Sequence, residues 1–235
     1  MITRAEIEKL GALHAVEPAM LSLYLAVPPP PVDLATLTVR ASELIAAAGE
    51  NAGRAVPAQD RDRVLEQVPP CARHWAGHTV AIFACAGSGL FQAIALSCSL
   101  PERGVLGVRP HIRPLLLARQ RCTAGHVAVA DQAEMQARRT ASVILAMPPG
   151  SLSAVGLPAC LAAVSAGPVQ ALIVPADGLV PGYECGRCGT LSLDADGRCP
   201  DWGTAVLQVP DVIEEMVSRV LEDGGDVLIA GATSS

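Results

Sequence analysis

Three cysteines near the C-terminal end of the sequence have a spacing that could bind a metal ion. Cys185 and Cys188 form a C-x-x-C pair, and Cys199 follows eleven residues later. Structural zinc takes four ligands in a tetrahedron, commonly from two C-x-x-C pairs that face each other. Trp202 stands where the fourth cysteine would be expected. The pattern therefore predicts a degenerate zinc-ribbon loop over residues 182–203, with these three cysteines as metal ligands.

The fourth ligand of such a site has several candidates, namely Asp201, Glu184 or a water molecule. A site with three thiolates and one open position binds zinc less tightly and is oxidised more readily than a complete site. The alternative is a metal-free loop, in which Trp202 packs over the loop and replaces part of the lost folding energy by apolar burial. In both cases we expect a structural role.

A second group of residues has the chemistry to contact RNA phosphate. Between residues 101 and 121, five arginines stand against the single acid Glu102. Pro110 and Pro114 lie on either side of His111 and Arg113 and fix the backbone there, which would present these side chains at low entropic cost. The alternative is that the prolines cap a helix and the arginines are merely solvated. The candidate RNA-binding residues are Arg109, His111, Arg113, Arg119 and Arg121.

Other patterns that could carry chemistry are better explained by structure. Cys71, His74 and His78 have a spacing compatible with a metal or nucleophile cluster, but they flank Trp75 at the entry to a buried strand. The glycines of AGSG (residues 86–89) lack the lysine of a phosphate loop and predict a hairpin turn. No nucleophile-elbow motif is present. These patterns therefore predict no catalytic residue.

Charge and composition restrict the partners and the compartment. The net charge of −6 and the pI near 5.3 argue against broad attraction to nucleic acid, DNA included. Residues 180–235 carry ten acids against three arginines, which suits a protein partner. The eight cysteines have no signal peptide before them, and no apolar run is long enough to span a bilayer. These features predict a cytoplasmic protein with no membrane contact.

The periodicity of apolar residues predicts an α/β fold made of two small mixed α/β layer domains. The first domain covers residues 1–131, residues 132–150 form a junction, and the second domain covers residues 151–235. Asp33 is placed to cap the second helix, and Pro69-Pro70 should end the third. The helices predicted in the first domain lie within 1–19 and at 34–48, 58–68 and 111–120, and its strands at 21–27, 80–85, 90–96 and 126–130. Those of the second domain are helices 154–166 and 210–223 and strands 169–174 and 227–230, with the cysteine loop inserted.

The order of these segments resembles the bacterial relatives of archaeal and eukaryotic class-1 peptide release factors, a group that includes Pelota and Balon. The resemblance implies an N-terminal domain for the ribosomal decoding centre and a C-terminal, ribosomal-protein-like α/β domain that meets a translational GTPase. It also implies binding to the ribosome and its RNA. The segments that carry it are MLSLYLAV, TVAIFACAGSGLFQAIAL, GVRPHIRPLLLA, HVAVADQ, AVGLPACLAAVSAGPVQALIV and DVIEEMVSRVLEDGGDVLIA.

The sequence departs from that family at its two functional motifs. The Gly-Gly-Gln loop that positions water on peptidyl-tRNA is missing, because Gly224-Gly225 is followed by Asp226. The segment AAAGENAGRAVPAQD has no Asn-Ile-Lys-Ser, and the interval between Asp131 and Ser151 leaves no room for a middle domain. The resemblance therefore implies a non-catalytic, ribosome-associated factor in hibernation or rescue. Two alternatives stay open: a small-molecule or nucleotide-binding α/β protein, and a decayed, truncated paralogue acting only through protein contacts.

Overall fold

Helices and strands alternate along the chain and build a mixed α/β fold, as the apolar patterns predicted. A computed structural model describes residues 2–15, 19–122, 153–194, 198–199 and 201–230. Within these residues it contains six α-helices and three sheets. The chain divides into two compact units, Met1–Cys122 and Thr123–Ser235. The predicted strand 126–130 and the predicted junction 132–150 lie outside the described residues.

The first unit is a four-stranded antiparallel sheet with helices packed against it. Its elements are α1 (Arg4–Gly11), β1 (Met20–Ala26), α2 (Leu34–Asn51), α3 (Ala58–His74), β2 (Thr79–Cys85), β3 (Leu90–Leu96), β4 (Arg103–Gly107) and α4 (Arg113–Cys122). The strand order is β3-β2-β1-β4, and residues Met20 to Leu25 of the inner strand β1 are all buried. The β2–β3 hairpin turns at a short 3₁₀ segment, as AGSG predicted.

Helix α2 covers one face of this sheet and shows how local sequence sets the packing. The Asp33 side chain accepts hydrogen bonds from the backbone N–H groups of Ala35 and Thr36, so the predicted cap is confirmed. Its apolar stripe, including Ala41 and Ile45, joins the core with alternate residues of β1 and β2. Against β4 the helix approaches so closely that a Cβ on Gly104 would collide with the Leu44 carbonyl oxygen.

One sequence expectation for the first unit was wrong, and one of its strands was missed. Helix α3 does not end at Pro69-Pro70 but continues to His74. Its buried residues Val68, Cys71 and Ala72 extend the core-facing stripe past the prolines, so tertiary packing outweighs the local cost of proline. Strand β4 was missed, because its short glycine-containing sequence RGVLG has little strand propensity and gains its place by pairing with β1.

The second unit combines a parallel strand pair with a small antiparallel sheet. Its elements are α5 (Leu157–Ala166), β5 (Ala171–Pro175), β6 (Gly182–Cys185), β7 (Leu191–Ser192), β8 (Val206–Val209), α6 (Val212–Glu222) and β9 (Asp226–Ala230). Strands β5 and β9 pair in parallel, whereas β6 pairs with both β7 and β8 in the order β7-β6-β8. The predicted cysteine loop is therefore part of a sheet. Within the described residues, no helix has the length and apolar character needed to cross a membrane.

Candidate metal centre

The first two cysteines lie on a tight turn between β6 and β7, which we call the first knuckle (residues 185–190). The Gly189 N–H donates to the Cys185 carbonyl at 2.8 Å, and the Cys185 N–H donates to the Thr190 carbonyl at 3.0 Å. Gly189 has a φ of 74°, a left-handed conformation that other residues adopt only with strain. The Arg187 N–H also donates to Cys185 Sγ at 3.4 Å. The turn therefore places the Cys185 sulfur within hydrogen-bond distance of a backbone N–H group of the same turn.

A second turn, the second knuckle (residues 199 and 201–204), repeats this backbone arrangement before β8. The Gly203 N–H donates to the Cys199 carbonyl at 2.8 Å, and the Cys199 N–H donates to the Thr204 carbonyl at 2.7 Å. Gly203 has a φ of 62°. The backbone N–H groups of Asp201 and Trp202 donate to the Cys199 sulfur. Each knuckle is thus built on the same hydrogen bonds, and Trp202 occupies the position equivalent to Cys188.

The two knuckles bring all three cysteine sulfurs together. The Sγ atoms of Cys185, Cys188 and Cys199 lie within 4.8 Å of one another, and Cys188 Sγ is 3.5 Å from Cys199 Sγ. Cys185 and Cys199 are buried, whereas Cys188 is exposed. Three convergent thiols are a donor set that suits a soft or borderline metal ion such as zinc. The cluster could therefore hold a metal ion.

The environment of the cluster differs from one sulfur to the next. The Thr204 hydroxyl, 3.2 Å from Cys185 Sγ, together with the backbone N–H groups of Cys188 and Arg187, lowers the pKa of Cys185 to about 6. Burial raises the pKa of the Cys199 thiol. At neutral pH the metal-free cluster therefore holds a thiolate at Cys185 next to a protonated Cys199, which is the charge state that attracts a cation.

Trp202 does not cover the cluster. Its side chain is 54% exposed, and its ring lies 4.2 Å from the guanidinium carbon of Arg187, the residue between the two cysteines of the first knuckle. This is a cation–π contact across the two knuckles. The alternative in which Trp202 packs over the loop and replaces part of the lost folding energy by apolar burial is therefore not supported, because more than half of the residue is exposed and its ring contacts a charged side chain.

The candidates for the fourth ligand are separated by their contacts. Glu184 pairs with Arg219 of α6, with 2.9 Å between Glu184 Oε1 and Arg219 Nη2, and both side chains are largely buried. Asp201 lies nearer the sulfurs, because its Oδ2 accepts from Thr190 Oγ1 at 3.2 Å and that hydroxyl lies 3.1 Å from Cys188 Sγ. The geometry removes Glu184 from the candidates and keeps Asp201 and water.

Sequence reasoning missed two kinds of residue at this centre. Thr190 and Thr204 each place a hydroxyl against a cysteine sulfur, and Arg219 donates to the Gly189 carbonyl, which holds the first knuckle against α6. A signal for the threonines was present, since CGRCGT and CPDWGT share the pattern C-x-x-x-G-T. No local sequence pattern indicated that Arg219 contacts the first knuckle, because it lies far from the knuckle in sequence.

The five residues predicted to bind RNA differ in exposure. His111 and Arg113 are buried; the His111 N–H donates to Ser22 Oγ at 2.9 Å, and the His111 carbonyl accepts from the Tyr24 hydroxyl. Arg109 and Arg119 are half-buried, and only Arg121 of the five is exposed. The flanking prolines therefore do not present the whole set to solvent. The RNA-binding role stays a prediction for the remaining three.

The remaining candidates do not assemble into a site within the described residues. Cys71, His74 and His78 form no group of potential ligand atoms within 4.8 Å there. Cys71 is buried, which raises the pKa of its thiol, whereas both histidines are exposed. A cavity of about 480 Å³ is lined by residues at the C-terminal end of α2 and the following turn, including Ile45, Gly49 and Arg54. It does not lie at the carboxyl ends of a parallel sheet, where α/β proteins usually bind nucleotides.

Comparison with known proteins does not identify a family for this chain. Neither a scan against protein-family models nor a search of curated proteins finds a match.

Proposed function

We propose that residues 182–209 form a ribbon stabilised by one structural zinc ion, and that the chain acts by binding. The observation that carries this proposal is the convergence of three thiols from two equivalent knuckles. Zinc favours cysteine thiolates and tetrahedral geometry, and Cys185, Cys188 and Cys199 would supply three of its four ligands. Asp201 or water would supply the fourth. Zinc would join the two turns of a sheet too small to have a core of its own, and would thereby couple metal binding to folding.

At the level of the whole chain, the proposed partner is the ribosome. The support is the resemblance to class-1 release factors, together with the order of elements in which the ribbon lies between β5 and α6. Since the Gly-Gly-Gln and Asn-Ile-Lys-Ser motifs are absent, the proposed role excludes peptidyl-tRNA hydrolysis and codon reading. Binding in hibernation or rescue is the role that remains.

Two surfaces would make the contacts. Arg121 is exposed and Arg109 and Arg119 are half-buried, so these three could reach ribosomal RNA phosphate. In the second unit, Glu214 and Glu215 are buried, and the exposed acids include Glu222, Asp223 and Asp226. These exposed acids suit a basic protein surface, such as that of a translational GTPase.

Sedimentation with ribosomes across a salt series tests the partner. We expect the zinc-loaded chain to pellet with ribosomes at low salt and to dissociate as salt rises, because phosphate contacts release counterions. Arg121→Glu should weaken pelleting, whereas Arg73→Glu, at an exposed arginine of α3, should not. A folded, zinc-loaded chain that stays in the supernatant at every salt concentration would refute ribosome binding.

A release assay tests the absence of catalysis separately. Ribosomes carrying peptidyl-tRNA, incubated with saturating chain, should show no release above the rate without it. Chain-dependent release would contradict the non-catalytic role and would leave the zinc site unaffected.

A further inference from the structure

The sulfurs of Cys188 and Cys199 are close enough to share a metal ion and also close enough to be joined by a disulfide bond. Their sulfurs are 3.5 Å apart, on different knuckles. A disulfide bond is about 2 Å long, so the two sulfurs would have to approach by about 1.5 Å to form one. The two residues are eleven positions apart, and their bond would tie the first knuckle to the second, as a shared metal ion would.

Accessibility assigns different roles to the two thiols. Cys188 is exposed and can meet a dissolved oxidant, whereas Cys199 is 2% exposed and its sulfur lies 3.5 Å from that of Cys188. Cys185 is 1% exposed, and its sulfur is held by the Thr204 hydroxyl and the Arg187 N–H. An exposed cysteine beside a second, resolving cysteine is the arrangement of reversible thiol oxidation.

We propose that Cys188 and Cys199 form a reversible disulfide on exposure to a hydroperoxide, and that this bond takes over the cross-link between the knuckles while Cys185 remains a thiol. The proposed disulfide is inferred from the positions and exposure of the thiols alone. The accompanying release of metal rests on the proposed zinc site, since oxidation removes two of its three thiolate ligands.

The reaction balances with hydrogen peroxide as the oxidant. The Cys188 thiolate attacks one peroxide oxygen, the O–O bond breaks, and the departing hydroxide takes up a proton to give water. Cys188 is then a sulfenic acid. The Cys199 thiol loses its proton as its sulfur attacks the Cys188 sulfur, an S–S bond forms, and the sulfenic oxygen leaves as hydroxide, which takes up that proton to become a second water. Two thiols and one peroxide thus give one disulfide and two waters, and a dithiol reductant reverses the change.

Peptide mapping after peroxide treatment tests the proposal. Reduced full-length chain, zinc-loaded in one sample and metal-free in another, is treated with equimolar hydrogen peroxide and digested without reductant. We expect a Cys188–Cys199 cross-linked peptide in both samples, its loss on adding dithiothreitol, and zinc release in the loaded sample. Cys185→Ser should keep the cross-link, as should the matched control Cys160→Ser in α5, and Cys188→Ser should abolish it.

Three outcomes would overturn the proposal: a Cys185–Cys188 link in place of the expected one, direct conversion of Cys188 to sulfinic or sulfonic acid without a cross-link, or no oxidation. A cross-link in a chain that never binds zinc would refute the zinc site and keep the disulfide. The two failures are therefore distinguishable.

Discussion

Trp202 is the residue at which the metal centre departs from a complete zinc ribbon. The second knuckle keeps the hydrogen bonds and the left-handed glycine of the first, so its backbone is still shaped for a cysteine at this position. The tryptophan side chain is mostly exposed and stacks with Arg187. Replacing it should therefore disturb little of the core, and the loss of a ligand here should be reversible by one substitution.

We predict that Trp202→Cys restores a four-thiolate site. Structural zinc sites with four ligands bind with about 10–16 kcal/mol, or roughly 3 kcal/mol for each ligand, so affinity should rise about 100-fold. A competition titration with a chromogenic chelator measures this change. Trp202→Ala is the control, because it removes the Arg187 contact without adding a ligand. Equal zinc affinity for Trp202→Cys and Trp202→Ala would show that the second knuckle does not direct residue 202 to the metal.

At the residue scale the sequence predicted part of this centre. The spacing of Cys185, Cys188 and Cys199 was enough to propose a shared site, because C-x-x-C pairs have a fixed turn geometry. The exposure of Trp202 and the burial of His111 could not be predicted from the sequence, since the backbone conformation at each position decides whether the side chain faces the core or the solvent. The exposed tryptophan and the buried histidine both differ from expectation for that reason.

At the scale of elements, strand β4 forms although its sequence has little strand propensity, because it pairs with β1 and packs closely against helix α2. Gly104 lets α2 lie against β4 at a distance that no side chain would permit. We predict that Gly104→Ala lowers the free energy of unfolding by about 3 kcal/mol, because the new methyl group meets the Leu44 carbonyl of the α2 backbone. Urea denaturation followed by circular dichroism measures the loss.

The matched control for this substitution is Gly87→Ala in the hairpin turn. A Cβ at Gly87 would meet nothing within 4 Å, so the change should stay within about 0.5 kcal/mol. Similar losses for the two substitutions would mean that α2 can move away from β4 at little cost.

Asp60, in the first turn of α3, makes the stability of the first unit depend on pH. It is 2% exposed, burial raises its pKa above the ordinary 3.8, and it accepts a hydrogen bond from the Ala86 N–H of the hairpin turn. The folded state therefore holds the Asp60 proton more tightly than the unfolded state. This contribution to stability is fully present below pH 3.8 and is lost as pH rises through the folded pKa.

We predict that Asp60→Asn, which keeps the acceptor and removes the charge, is more stable than the native sequence at neutral pH. The difference should shrink toward zero as pH falls below 3.8, and thermal unfolding from pH 3 to 7 measures it. Asp60→Ala should instead lose about 1 kcal/mol at neutral pH, because Ala86 loses its acceptor. A native chain that gains stability over Asp60→Asn with rising pH would reverse the sign and contradict a raised pKa.

At the scale of the whole molecule, periodicity alone predicted the fold class and most elements. Strand β1, helix α2 and the β2–β3 hairpin follow their apolar patterns closely, because each buries one continuous face. The sequence did not predict the sheet of the ribbon. Its strands β6, β7 and β8 are two to four residues long, too short for a periodic pattern, and they are held by knuckle hydrogen bonds and by Arg219.

We predict that a chelator loosens the ribbon without affecting the sheet of the first unit. Amides of β6 and β8 should exchange with deuterium faster after metal removal, whereas those of β1 and β2 should be unchanged, because only the ribbon depends on the metal cross-link. Hydrogen exchange followed by mass spectrometry resolves the two regions. Unchanged exchange in β6 and β8 would mean that backbone hydrogen bonds hold the knuckles without metal.

The zinc content of the purified chain tests the metal centre most directly. Native mass spectrometry of full-length chain, reduced and incubated with zinc and then buffer-exchanged, should show one zinc ion per chain. Cys185→Ser should lose that ion, whereas Cys160→Ser, outside the cluster, should keep it. A folded native chain that carries no zinc, or that carries as much zinc after Cys185→Ser, would contradict a site formed by Cys185, Cys188 and Cys199.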